Sequence, residues 1–114
     1  MNPFLGELIG TALLILLGNG VVANVVLNNT KGQNSGWIVI TWGWGMAVFV
    51  AVFTVAAFSG AHINPAVSLA LAITGKFEWA AVPVYILAQF LGSFLGAFLV
   101  WLVYRPHYAL TENK

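Results

Sequence analysis

Between two long apolar runs, residues 59–67 read S-G-A-H-I-N-P-A-V, which sets an amide, an imidazole and a proline in otherwise hydrophobic surroundings. Asn64 before Pro65 marks a helix start. Asparagine caps a first turn well, and proline suits the first helical position because its missing N–H would be unpaired there anyway. The N-terminus of such a helix carries roughly half a positive elementary charge. Asn64 can cap through its carbonyl oxygen and keep its NH₂ free to donate to a passing hydroxyl or water. Gly60, Ala61, His62 and Ile63, unwound ahead of the cap, can offer backbone carbonyls as acceptors. A dipole that repels cations, together with donors and acceptors that replace lost hydration, is the chemistry of a selective path for small neutral solutes. Pro65 and Ala66 complete its central turn. His62 has no second histidine or carboxylate near enough in sequence to complete a metal site, so it reads as a pore-wall or packing residue. The spans hold no nucleophile–base pair and no two neighbouring carboxylates, which argues against an enzyme, and no cofactor is implied.

The elements that must hold this segment lie in a bilayer. Of 114 residues, 61% are hydrophobic and 6% charged, against about 25% charged in a soluble domain. The net charge of +1 is too small to suggest a nucleic-acid partner and the basic residues do not cluster; there is no cysteine, hence no disulfide framework. Spans are expected over about 4–27, 37–58 and 79–104, with a polar loop at 28–36 rich in turn formers. The apolar stretch 65–74 is too short to span: at ~1.5 Å per residue it covers ~15 Å, half a bilayer. A single kinked helix over 37–74 is the rival, and it is too long for one crossing. Residues 105–114 read as a polar tail or the start of a longer loop. The first run lacks the basic flank of a signal peptide and carries Glu7 inside it.

Two polar side chains inside the spans need partners. Glu7 is a carboxylate where charge is costly, and Gly6 and Gly10 beside it permit close helix approach. Its alternative is simply to reach interfacial water. Gln89 reads likewise as buried, with Gly92 and Gly96 forming a second small-residue face.

Taken together, Asn64-Pro65-Ala66, the preceding Ser59-Gly60-Ala61-His62, Glu7-Leu8-Ile9-Gly10-Thr11 and Gln89 resemble the aquaporin and glycerol-facilitator family of membrane channels. N-P-A alone is a weak signal; combined with E-x-x-G-T and the span spacing it is specific. The resemblance covers essentially the whole chain, but only the first of the family's two inverted repeats. It implies an all-α integral membrane fold of three transmembrane helices plus one re-entrant half-helix, in the plasma membrane. It implies passive conduction of glycerol, other small neutral solutes and water. The implied partners are lipid and a second half-channel or further copies, the family forming tetramers.

By the same resemblance, Glu7 and Gln89 are braces behind the loop, and Gly60 to Ile63 line the pore. An ungapped match from the N-P-A box puts Trp44 at the outer constriction, where the family's glycerol conductors carry tryptophan. An indole can pack on the C–H side of a polyol, and Val48, one turn on, would continue that wall. Trp42 is the rival, while Trp37, Trp79 and Trp101 read as interfacial-belt residues. Two departures stand out. The family's selectivity arginine belongs to the second repeat, and here the third residue after Asn64 is Val67. The basic residues also vote against the family orientation, since an inside N-terminus leaves Lys31, Arg105 and Lys114 outside and only Lys76 inside. A non-conducting three-helix protein, such as a truncated relic or an accessory subunit, would share every residue named.

Overall fold

A computed structural model describes residues 1–112. Four α-helices follow one another: α1 (Pro3–Val26), α2 (Trp37–Ser59), α3 (Pro65–Ile73) and α4 (Val82–Leu110), the last preceded by a 3₁₀ turn at Trp79–Ala81. Three of these segments are long and apolar enough to cross a membrane, whereas α3 has nine residues. The longest dimension of the chain, 47 Å, matches a bilayer with its headgroups, about 40–45 Å. Apolar side chains cover the outside: Phe53 is 81% exposed, Trp37 78% and Ile38 76%. In water this surface would aggregate. In lipid it is solvated.

Local signals set the helix ends. Asn2 caps α1, its Oδ1 accepting from the Leu5 N–H at 2.8 Å, with Pro3 in the first turn. Gly60, at φ +82°, closes α2 in the left-handed conformation that glycine adopts without penalty. The loop after α1 folds back onto that helix. The Gly32 N–H donates to Asn24 Oδ1 at 3.3 Å, and the Thr30 hydroxyl donates to the Asn24 carbonyl.

The central helix is α1, flanked by α2 on one side and α4 on the other. Close approach comes from glycine. A Cβ on Gly92 would lie 2.3 Å from the Leu8 carbonyl oxygen, and one on Gly96 2.6 Å from that of Ala12. The backbones of α1 and α4 therefore touch, as small residues permit between membrane helices. On the other flank a Cβ at Gly10 would meet Val55 at 2.7 Å and Ile63 at 2.8 Å. Ala51, Val55 and Ile63 form the apolar core beneath the re-entrant loop.

One expectation is corrected. Residues 105–110 are not a polar tail: α4 continues through them to Leu110. The polar residues there face partners. His107 Nδ1 donates to the Asn28 carbonyl at 3.0 Å, the Asn28 N–H donates to Thr111 Oγ1 at 2.8 Å, and Asn28 Nδ2 donates to the Leu110 carbonyl at 3.0 Å. The Arg105 guanidinium sits 5.0 Å from the Trp101 ring centroid, a cation–π distance. Tyr104 and Tyr108 pack on Ala23, Leu27 and Val100. Pro106 removes one helical N–H, too little to end a helix anchored at both sides. The remainder of the expected tail, 113–114, lies outside the described residues.

Candidate functional site

Glu7 is fully buried, and four neutral donors surround its carboxylate. Oε2 accepts from the Ser59 hydroxyl at 2.6 Å and the His62 N–H at 3.1 Å. Oε1 accepts from the Ile63 N–H at 2.8 Å and Gln89 Nε2 at 2.7 Å. A buried carboxylate is tolerable only with such compensation, and bonds to an ionised acceptor are about twice as strong as neutral ones. The Ala61 N–H joins the same cluster through Ser59 Oγ at 3.2 Å. Three consecutive N–H groups, those of Ala61, His62 and Ile63, therefore turn inward towards α1.

That inward turn fixes where the carbonyls go. In a planar trans peptide the C=O points opposite to the N–H of the following residue. With the N–H groups of Ala61, His62 and Ile63 held at Glu7 and Ser59, the carbonyls of Gly60, Ala61 and His62 point away from α1. Such a run demands unusual backbone: Ala61 has φ +53° and Ile63 φ +47°. For a β-branched residue this conformation costs of order 1–3 kcal/mol and persists only where the surroundings over-determine it. The Glu7 bond to the Ile63 N–H, and the Ile63 side chain held in the core, are those surroundings.

Behind the loop a second set of contacts fixes α3 and α4. Gln89 Nε2 also donates to Ser68 Oγ at 3.0 Å, and Ser68 Oγ lies 2.7 Å from His62 Nδ1. Ser68 Oγ thus links the Gln89 side chain to the His62 ring and ties α3 and α4 to the loop. The imidazole packs against Phe77 and Tyr85, with ring centroids 4.6 and 4.8 Å away, and the Tyr85 hydroxyl donates to the Ser59 carbonyl at 2.7 Å. The His62 side chain thus takes a packing position, while its carbonyl belongs to the outward run.

Asn64 is exposed at the head of α3. Its Oδ1 accepts from the Ala66 N–H at 2.8 Å, which leaves the NH₂ to face outward. Pro65 occupies the first turn, and Ala66 and Val67 are exposed beside it. Trp44 is half-buried, its ring lying over Gly18 of α1, and Val48 one turn on is exposed. Trp42 is 70% exposed and lines a shallow outer groove with Thr41, Gly45, Met46 and Phe49. Two residues along a helix turn about 200°, so Trp42 and Trp44 cannot face the same side. Ser68, Tyr85 and Gly18 were not singled out from sequence. A signal existed for each: Ser68 follows Asn64 by one turn, Tyr85 precedes Gln89 by one turn, and Gly18 continues the helical spacing of Glu7, Thr11 and Leu14.

A half-length helix entering from the end of a span, its leading loop clamped by a buried carboxylate so that carbonyls face outward, defines one repeat of a re-entrant-loop, all-α membrane fold. Residues 1–114 match the family model described as Major intrinsic protein, and the chain belongs to that family. It is 58% identical over 113 residues to the probable glycerol uptake facilitator protein of Thermotoga maritima, covering 99% of this chain and 48% of that protein. It is 59% identical over 113 residues to the glycerol uptake facilitator protein of Streptococcus pneumoniae, again covering 99% and 48%. Among solved structures, the X-ray structure of the aquaglyceroporin from Plasmodium falciparum superposes with a TM-score of 0.87 at 40% identity, over 94% of this chain and 43% of that one. The chain spans about half the length of the curated relatives it matches.

Proposed function

We propose that this chain supplies one wall and one half-helix of a passive channel for glycerol and similar small neutral solutes in the plasma membrane. The observation that carries the reading is the Glu7 clamp, which turns the carbonyls of Gly60, Ala61 and His62 outward next to the free amide of Asn64. Together they form a short track of acceptors ending in a donor, matched to a molecule that carries both. Ile63 supports the track from beneath through its core contacts. Trp44 provides the broad apolar wall on which the carbon side of a polyol slides, and Val48 extends it. Glu7 and Gln89 act as braces. The names of the relatives favour glycerol as the permeant. A second repeat facing this one supplies the opposite wall and the arginine that this chain lacks at Val67.

The test is the chain joined to the second half of the Thermotoga maritima relative, in proteoliposomes followed by light scattering. Glycerol should enter down its gradient without an energy source. Trp44→Ala should alter glycerol flux strongly, and Trp42→Ala should leave it unchanged. Equal effects from the two substitutions would overturn the assignment of the wall.

A further inference from the structure

On α1, Glu7, Thr11, Leu14 and Gly18 recur at helical spacing along one side. That side carries the re-entrant loop: Glu7 holds its N–H groups, and Leu14 packs on the core of Ala51, Val55 and Ile63. Gly18 is the outermost of the four, and what lies against it is the ring of Trp44. A Cβ added at Gly18 would stand 2.4 Å from Trp44 Cζ3 and 2.5 Å from Cε3 and Cη2. Ordinary carbon contacts are about 3.5–4.0 Å, so the ring would have to move by about 1 Å or more, and a fused indole cannot bend out of the way. Nor can α2 slide freely. A Cβ on Gly43 would meet Val21 at 2.6 Å, so the two helices are interlocked one residue from Trp44.

We infer that Gly18 is a positioning residue for Trp44: its missing side chain sets how far the indole projects from the wall, and so the size of polyol that passes. The inference rests on the reading of Trp44 as the pore wall. With α1 behind the ring and the helices interlocked beside it, the half-buried indole can be displaced only towards its open side. In the channel this is the side on which the solute travels. A methyl group at residue 18 would therefore narrow the path without touching the solute itself.

The joined channel used above supplies the test, with glycerol and water permeabilities measured on the same vesicles. Gly18→Ala should lower glycerol permeability by about tenfold, the low end of what one methyl imposes on a fitted apolar pocket, and leave water permeability unchanged. Gly18→Ala combined with Trp44→Phe should restore glycerol flux, because the smaller ring makes room for the methyl. A monodisperse Gly18→Ala channel that loses both permeabilities in parallel, or neither, overturns the inference. So does a double variant that folds yet restores nothing. If Trp44→Ala leaves the glycerol-to-water ratio unaltered, the wall assignment itself falls. A Trp44→Ala effect beside a silent Gly18→Ala rejects the positioning role alone.

Discussion

At the scale of the residue, one carboxylate organises the site. Glu7 accepts from α1's own neighbours in space: the end of α2, two loop amides and α4. Glu7→Ala would leave those donors buried without an acceptor, at about 1–3 kcal/mol for each. Glu7→Gln keeps one oxygen for part of the set and turns an NH₂ towards the rest, so it should be the milder change. Thermal unfolding in detergent, followed by circular dichroism, should rank wild type above Gln and Gln above Ala. An Ala variant as stable as wild type would mean that the clamp contributes nothing. The sequence made Glu7 and Gln89 legible because polar groups inside spans stand out. Ser68 and Tyr85 were harder to read, since a hydroxyl in an apolar helix can as easily bond its own backbone, as Thr54 does with the Val50 carbonyl.

At the scale of the element, glycines decide which helices can touch. Gly92 faces backbone, the Leu8 carbonyl, which cannot retreat as a flexible side chain would. Gly92→Ala should therefore push α4 from α1, loosen the Gln89 contact with Glu7 and lower the unfolding temperature. Gly20→Ala is the control: a Cβ there meets nothing within 4 Å, so helix propensity alone should leave stability equal or slightly higher. Gly92→Ala behaving like Gly20→Ala would contradict the close packing of the two helices. The half-helix was readable because Asn-Pro is a local start signal, and so was the break before it. The outer end of α4 was not. Polar composition at 105–110 resembles a tail unless the Asn28 loop that binds it is known, and that contact joins residues 79 to 83 positions apart.

At the scale of the whole molecule, the three-helix layer has an unfinished face. Asn64, Ala66 and Val67 are exposed, and the outward carbonyls of the loop lie beside them. In hydrocarbon each such unsatisfied backbone group costs several kcal/mol. Residues 1–114 reconstituted alone should thus pass no glycerol above the rate of empty liposomes. Self-pairing in opposite orientations would bring two Asn64 amides together but two Val67 side chains where the family has an arginine. Such a pair should leak protons. Fast, proton-tight glycerol flux from the chain alone would refute this expectation.

The reach of the Glu7 contacts has a consequence in time. Its partners lie 52, 55, 56 and 82 residues further along the chain. At about 5–20 residues per second, Gln89 leaves the ribosome roughly 4–16 s after Glu7. Until Ser59, His62 and Ile63 emerge, the first span sits at the membrane with an acid group that none of its partners can serve, and the Gln89 contact comes later still. Water or the insertion machinery must attend it until the later spans arrive. Glu7 is made long before any of its partners, and its set of contacts is complete only when the third crossing closes behind it.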